Sequence, residues 1–207
     1  MTGKVGIIWG SQMMFSCLVE DCGCITELIT PHLLAAPYFR RSYSALIIPG
    51  GFAHPDYSTV LHALRASKSR IRRYIRSGGT ILVFGAGSDR PDAYDWLSVR
   101  VSYQFGFFEG IVECENECPL SCITEDCPDL VSADGILHLP DISAPLIHGA
   151  SSGEEKPDLA VCLCIRGSPV LIDCRSGLGR IIITTLHEYP SKRFIREFCI
   201  SGSETLL

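Results

Sequence analysis

A chain of 207 residues has room for one ordinary domain with a sizeable core, and 46% hydrophobic with 20% charged residues excludes a disordered polypeptide. The net charge of −5 argues against a nucleic-acid partner, and no apolar run approaches the roughly 20 residues that span a bilayer. The opening MTGKVGIIWG has neither a long apolar core nor a cleavage site, so the expectation is no signal peptide, no membrane contact and a cytoplasmic location.

Residues 5–10 (VGIIWG) form a compact apolar strand that stops on glycine, the pattern of a first strand in a parallel sheet. A helix is predicted over 11–19 with Ser11 as its N-cap, a second strand over 21–29, a short connection over 31–41, and a third strand over 45–48 that stops at Pro49. Residues 57–77 give the clearest helix, with Leu61, Leu64, Ile71 and Ile75 at helical spacing and Gly78-Gly79 as terminator. A fourth strand over 80–84 runs into Gly85-Ala86-Gly87. This alternation predicts an α/β fold: a doubly wound, mostly parallel sheet flanked by helices, with right-handed crossovers.

Beyond Pro91 the character changes. Short strands are predicted at 95–103 and 110–114, followed by a cysteine-rich acidic insertion over about 113–129. Residues 135–139 and 158–165 read as antiparallel strands on either side of a surface loop at 148–157. A hairpin-like pair follows, 169–174 and 179–186 around Ser176-Gly177, then a helix over 191–200 and a loose tail over 201–207. No linker or repeat divides the chain, so residues 1–207 are expected to form a single domain.

The segment 65–76 holds Arg65, Lys68, Arg70, Arg72, Arg73 and Arg76 with no acid. It reads either as a solvated helix face whose cations suit the C-terminal end of the helix dipole, or as a contact for phosphate or an acidic partner. Two strand tips followed by glycine, at Pro49-Gly50-Gly51 and at Gly85-Ala86-Gly87, bring backbone N–H groups to one edge of the sheet. Open α/β folds place ligands at that edge, and a helix N-terminus there would favour a carboxylate or phosphate.

Taken in order and spacing, VGIIWG, LIIPGG, RSGGTILVFGAG and GRIIITTLHEYPS resemble the class I glutamine amidotransferase-like superfamily, a flavodoxin-like arrangement. The nearest variant is the domain found at the N-terminus of some biotin–protein ligases and in stand-alone relatives. The resemblance implies a cysteine nucleophile on the elbow after the fourth strand, a histidine base on a late strand, an acid two residues beyond it, and oxyanion donors in the Pro-Gly-Gly turn. Carried over residue by residue, Gly50 and Gly51 fit the oxyanion turn and His187 fits the base, but Gly85 stands at the nucleophile position. Tyr189 stands where the acid belongs, and Glu188 is one place early, on the opposite face of a strand. His54 and Ser88 lie on the same edge; Ser88 is either a replacement nucleophile or a helix N-cap. The resulting expectation is a pseudoenzyme. Its vestigial residues would be His187 and Glu188, and its ligand site Gly50, Gly51, His54, Gly85, Ala86, Gly87 and Ser88. It would bind a small carboxylate or phosphate, or serve as a scaffold for a protein partner or a second copy. The alternative is a hydrolase or amide-transfer enzyme using a different nucleophile or a cysteine-bound metal.

Eleven cysteines are many for a chain of this length. Cys114, Cys118, Cys122 and Cys127 follow a C-x3-C-x3-C-x4-C spacing, which is either a zinc or iron–sulfur site or a set of free thiols. Pro119 prevents one continuous helix through all of them. Cys17, Cys22 and Cys24, and the alternating Cys162 and Cys164, read as core.

Overall fold

A strand covered on both faces needs apolar residues at every position, and the chain supplies such runs where its parallel sheet forms. In the computed structural model, which describes residues 3–114, 118–127, 130–139, 158–187 and 189–207, these runs become β1 (Lys4–Ile8), β4 (Ala45–Ile48), β5 (Thr80–Val83) and β11 (Gly179–Thr184), with the more polar and exposed β2 (Ile25–Ile29) at the sheet edge. They pair in parallel in the order β2-β1-β4-β5-β11. The sheet then continues with three antiparallel strands, β10 (Ser168–Ser176), β9 (Asp158–Ile165) and β7 (Val112–Cys114), to make a mixed sheet of eight. Two ribbons stand apart from it: β6 (Ser102–Gly110) with β8 (Val131–His138), and β3 (Ser42–Tyr43) with β12 (Thr205–Leu206). The expected α/β class holds as a mixed sheet, and one strand of the second half, β11, joins its parallel part.

Alternation along the central strands separates two cores. Leu46, Ile48, Ile81, Val83, Ile181 and Ile183 join one, beneath α3 (Val60–Ala66) and α4 (Lys68–Arg76). Ala45, Ile47, Leu82 and Ile182 join the other, beneath α1 (Met14–Asp21) and α5 (Lys192–Ser201). Among the described residues, no helix is long and apolar enough to cross a membrane.

Several expectations are corrected. The helix predicted over 57–77 is α3 and α4, broken at Ser67, whose buried hydroxyl donates to the Leu34 carbonyl at 2.8 Å. The connection at 31–41 contains a further short helix, α2 (Pro31–Ala35), capped by the Thr30 hydroxyl. The first helix begins at Met14 after an N-cap, Met13, with no side-chain bond, not at Ser11. Residues 95–101 are turn and bend, and the strand expected there starts at Ser102. The tail is not loose: β12 pairs with β3, and Leu207 is 1% exposed. The loop at 148–157 lies outside the described residues.

The basic segment follows neither reading in full. Arg65 pairs with Asp92 at 2.6 Å and Asp95 at 2.9 Å. Arg70 donates to the carbonyls of Leu34, Ala36 and Phe39, and Arg72 to those of Asp95, Trp96 and Leu97. A guanidinium offers five donors in a fixed fork, so one side chain can satisfy several loop carbonyls that have no ladder partner. These arginines fasten residues 34–39 and 92–97 to the helices; Lys68, Arg73 and Arg76 are exposed.

Candidate functional site

The site forms where β4, β5 and β11 end together. Strand β4 stops at Pro49, which carries no N–H, and the chain turns through Gly50-Gly51; β5 stops at Gly85-Ala86-Gly87. Gly51 and Gly87 have φ of +81° and +70°, the left-handed region that side chains disfavour. The turns also touch: a Cβ on Gly87 would lie 2.6 Å from the Gly51 Cα. Gly51 donates its N–H to the Gly85 carbonyl at 2.8 Å, and Ala53 donates to that of Ala86 at 3.0 Å.

Two buried tyrosines support this edge. The Tyr94 hydroxyl donates to the Phe84 carbonyl at 2.9 Å. The Tyr103 hydroxyl donates to the Asp134 carbonyl at 2.7 Å. Burial pushes both phenols up, Tyr94 far above its ordinary range, so each stays protonated and able to donate. Of the turn N–H groups, those of Gly51 and Ala53 are engaged between the turns themselves. No helix follows the second turn, because residues 88–101 are turn and bend; the dipole expected there is absent. Ser88 is neither cap nor exposed nucleophile: its hydroxyl donates to the Ala53 carbonyl at 3.0 Å and ties the turns together.

The third strand end supplies the charged groups. After β11 the chain runs against β8, with Asp134 N–H bonded to the Thr185 carbonyl at 2.8 Å and His187 N–H to that of Ser132 at 3.0 Å. This places Asp134 beside His187, Oδ1 to Nδ1 at 3.0 Å, with side chains 29% and 67% exposed. Asp134 also covers Gly85: a Cβ there would lie 3.3 Å from the Asp134 Cβ and 3.7 Å from its Oδ2. Asp134 is the residue the sequence reading missed. Its only local signal is an acid on the solvent-side series of an alternating strand, which does not say what lies opposite. Tyr189, at the position where the resemblance put the acid, stacks on Phe15 with centroids 5.9 Å apart. Glu188 lies outside the described residues.

The turns and the His187–Asp134 pair floor a cleft of about 580 Å³. Its walls are aromatic: Phe15, Phe84 and Tyr189, with Tyr57 and Phe105. His54 lines it too, its ring stacked on Tyr57 with centroids 4.1 Å apart. Of the predicted ligand residues, Gly50, Gly51, His54 and Gly87 reach the cleft with His187; Gly85, Ala86 and Ser88 stand behind it. No Lys, Arg, Ser, Thr or Cys lines it among the described residues. A second cleft of about 660 Å³, edged by Arg72, Arg76, Arg100 and His138, lies away from these strand ends.

Among the described residues, no group of three or more potential ligands comes together. Cys114 is exposed at the end of the edge strand β7, while Cys122 lies within a 3-10 helix, Pro119–Thr124, that Cys118 precedes and Cys127 follows. That helix buries Leu120 and Ile123, and these three cysteines pack half-buried against the same core. The cysteines are present as thiols; Cys24, Cys162 and Cys164 are buried as expected, whereas Cys22 is half-buried and Cys17 is exposed.

A cytoplasmic protein from Salmonella typhimurium LT2 superposes with a TM-score of 0.53 at 12% identity, over 95% of each chain. β-Galactosidases from Bacillus circulans sp. alkalophilus and Rahnella sp. R3 match with TM-scores of 0.51 and 0.52, both at 12% identity. They cover 93% and 97% of this chain, which spans only 29% and 31% of theirs. Likeness at this identity is one of fold alone, and none of these structures carries an amidotransferase or biotin–protein ligase name. The sequence matches no protein-family model and no curated protein.

Proposed function

We propose that this chain is a non-catalytic, amidotransferase-like module that binds a small ligand in the aromatic cleft at the carboxyl edge of its parallel strands. The order β2-β1-β4-β5-β11 supports the flavodoxin-like part of that reading. The observation that carries the loss of catalysis is the position of Asp134. Its carboxylate stands over Gly85, in the space a nucleophilic side chain would use, and the described lining residues offer no hydroxyl or thiol besides the tyrosines. His187, oriented by Asp134, has the geometry of a general base but no side chain to activate. The many cysteines present as thiols support a reducing, cytoplasmic setting.

The same 3.0 Å pair favours one second reading, a hydrolase in which His187 deprotonates water directly. Glutaminase and esterase assays on the purified protein separate the two. The expected result is background turnover, unchanged in His187→Ala. Gly85→Cys should stay inactive as well, because the new thiol would press against the Asp134 carboxylate and be held protonated by it. Turnover that disappears in His187→Ala but persists in the exposed control Arg73→Ala would sink the non-catalytic reading.

A further inference from the structure

We infer that the cleft selects a small organic cation, a protonated amine or guanidine attached to a flat apolar group. The inference rests on the reading of the cleft as a small-molecule site and names the ligand class. Three observations converge on it.

The first is the charge inventory of the lining. Asp134 supplies a carboxylate, and the other polar side chains among the described lining residues are the imidazoles of His54 and His187 and the phenols of Tyr57 and Tyr189. No Lys or Arg opposes the carboxylate among the described lining residues. Asp134 Oδ1 faces His187, while Oδ2 has no donor among the described residues. A carboxylate oxygen accepts and cannot donate, so it calls for a ligand N–H, and a charged one binds most strongly.

The second is the state of the backbone donors. An anion would need the turn N–H groups, and those of Gly51 and Ala53 already donate to the Gly85 and Ala86 carbonyls. It would also approach the Asp134 carboxylate, a like charge in a partly desolvated cleft. Part of the edge that the sequence marked as an anion cradle is thus taken up by the contact between the turns, and the rest lies beside a negative charge.

The third is the wall chemistry. Five aromatic rings border the cleft, and three of them, Tyr57, Tyr189 and Phe105, are 64%, 64% and 48% exposed. Ring faces carry a negative quadrupole that attracts ammonium and guanidinium groups, most strongly where water is partly excluded. Rings and carboxylate together make a site for a cation with an apolar body, and the chain's net charge of −5 adds a weak attraction of the same sign.

A matched ligand series tests this on the unmodified protein. Benzylammonium, benzyl alcohol and benzoate share shape and differ in charge, and each would be titrated calorimetrically at neutral pH. Benzylammonium should bind, with benzyl alcohol at least about tenfold weaker and benzoate weaker still. Asp134→Asn, nearly isosteric, should weaken benzylammonium about tenfold and narrow its advantage over the alcohol; Tyr189→Ala should weaken all binding of the cation several-fold. Benzoate binding as well as benzylammonium, or all three binding alike, would overturn the inference and leave the cleft a small-molecule site. Benzylammonium affinity unchanged in Asp134→Asn would overturn it too. Binding by none of the three would overturn both the inference and the small-molecule reading beneath it.

Discussion

Gly87→Val is expected to lower the free energy of unfolding by about 4 kcal/mol, the sum of left-handed strain at a β-branched residue and a clash with the facing turn. The φ of +70° alone disfavours any side chain, and a Cβ at this position would lie 2.6 Å from the Gly51 Cα, which is backbone and cannot rotate away. The Gly51–Gly85 and Ala53–Ala86 hydrogen bonds hold the turns at that spacing, so relief requires breaking one of them. Denaturant unfolding of wild type and variant, followed by far-UV circular dichroism, measures the loss. A value below about 1 kcal/mol would mean that the turns part easily and that their contact does not shape the cleft floor.

Trp96→Ala should cost about 3–5 kcal/mol, the range for emptying a fully buried aromatic site. Trp96 is 0% exposed, donates its indole N–H to the Ala93 carbonyl at 2.9 Å, and meets Phe52 edge-on at a centroid distance of 6.4 Å. Phe52 immediately follows Gly51, and Tyr94, the bonding partner of the second turn, packs on it at 5.6 Å. The cavity would therefore loosen both turns from behind and weaken cleft binding as well as lower stability. Chemical denaturation gives the first effect and ligand titration the second. A variant that is destabilised as expected yet binds unchanged would show that the floor keeps its shape without the aromatic stack.

The parts of this fold that could be read from the chain are those whose environment is uniform along the sequence. Ala45, Leu46, Ile47 and Ile48 are each 0% exposed, and only a strand buried on both faces explains four such residues ended by a proline. The break between α3 and α4 was not legible, because the apolar spacing runs across it and the cause is a bond from Ser67 to Leu34, far away in sequence. The arginines of that segment misled for a similar reason: their acceptors are carbonyls of other loops. The candidate site divides the same way. Gly50, Gly51 and His187 stand in local motifs that travel with the strands before them, whereas Asp134 arrives on a strand of the antiparallel half that only tertiary pairing brings to His187. The reading sought the acid along the chain from the histidine, and the fold supplies it across the sheet edge.

The mutual bonding of the two turns has a consequence for the time dependence of this edge. Loop amides at a sheet margin ordinarily exchange their hydrogens with solvent quickly, through local openings that cost little. Here Gly51 and Ala53 are fastened to the second turn, and the strand leading into that turn is held by the buried Tyr94 hydroxyl on the Phe84 carbonyl. In deuterium exchange the Gly51 and Ala53 amides should be protected together, at rates closer to those of β4 and β5 than to those of the neighbouring residues 54–58. Fast exchange at Gly51 and Ala53 would show that the floor opens independently of the sheet. Slow, concerted exchange would mark it as a platform already fixed before any ligand arrives, so that little ordering entropy remains for binding to offset.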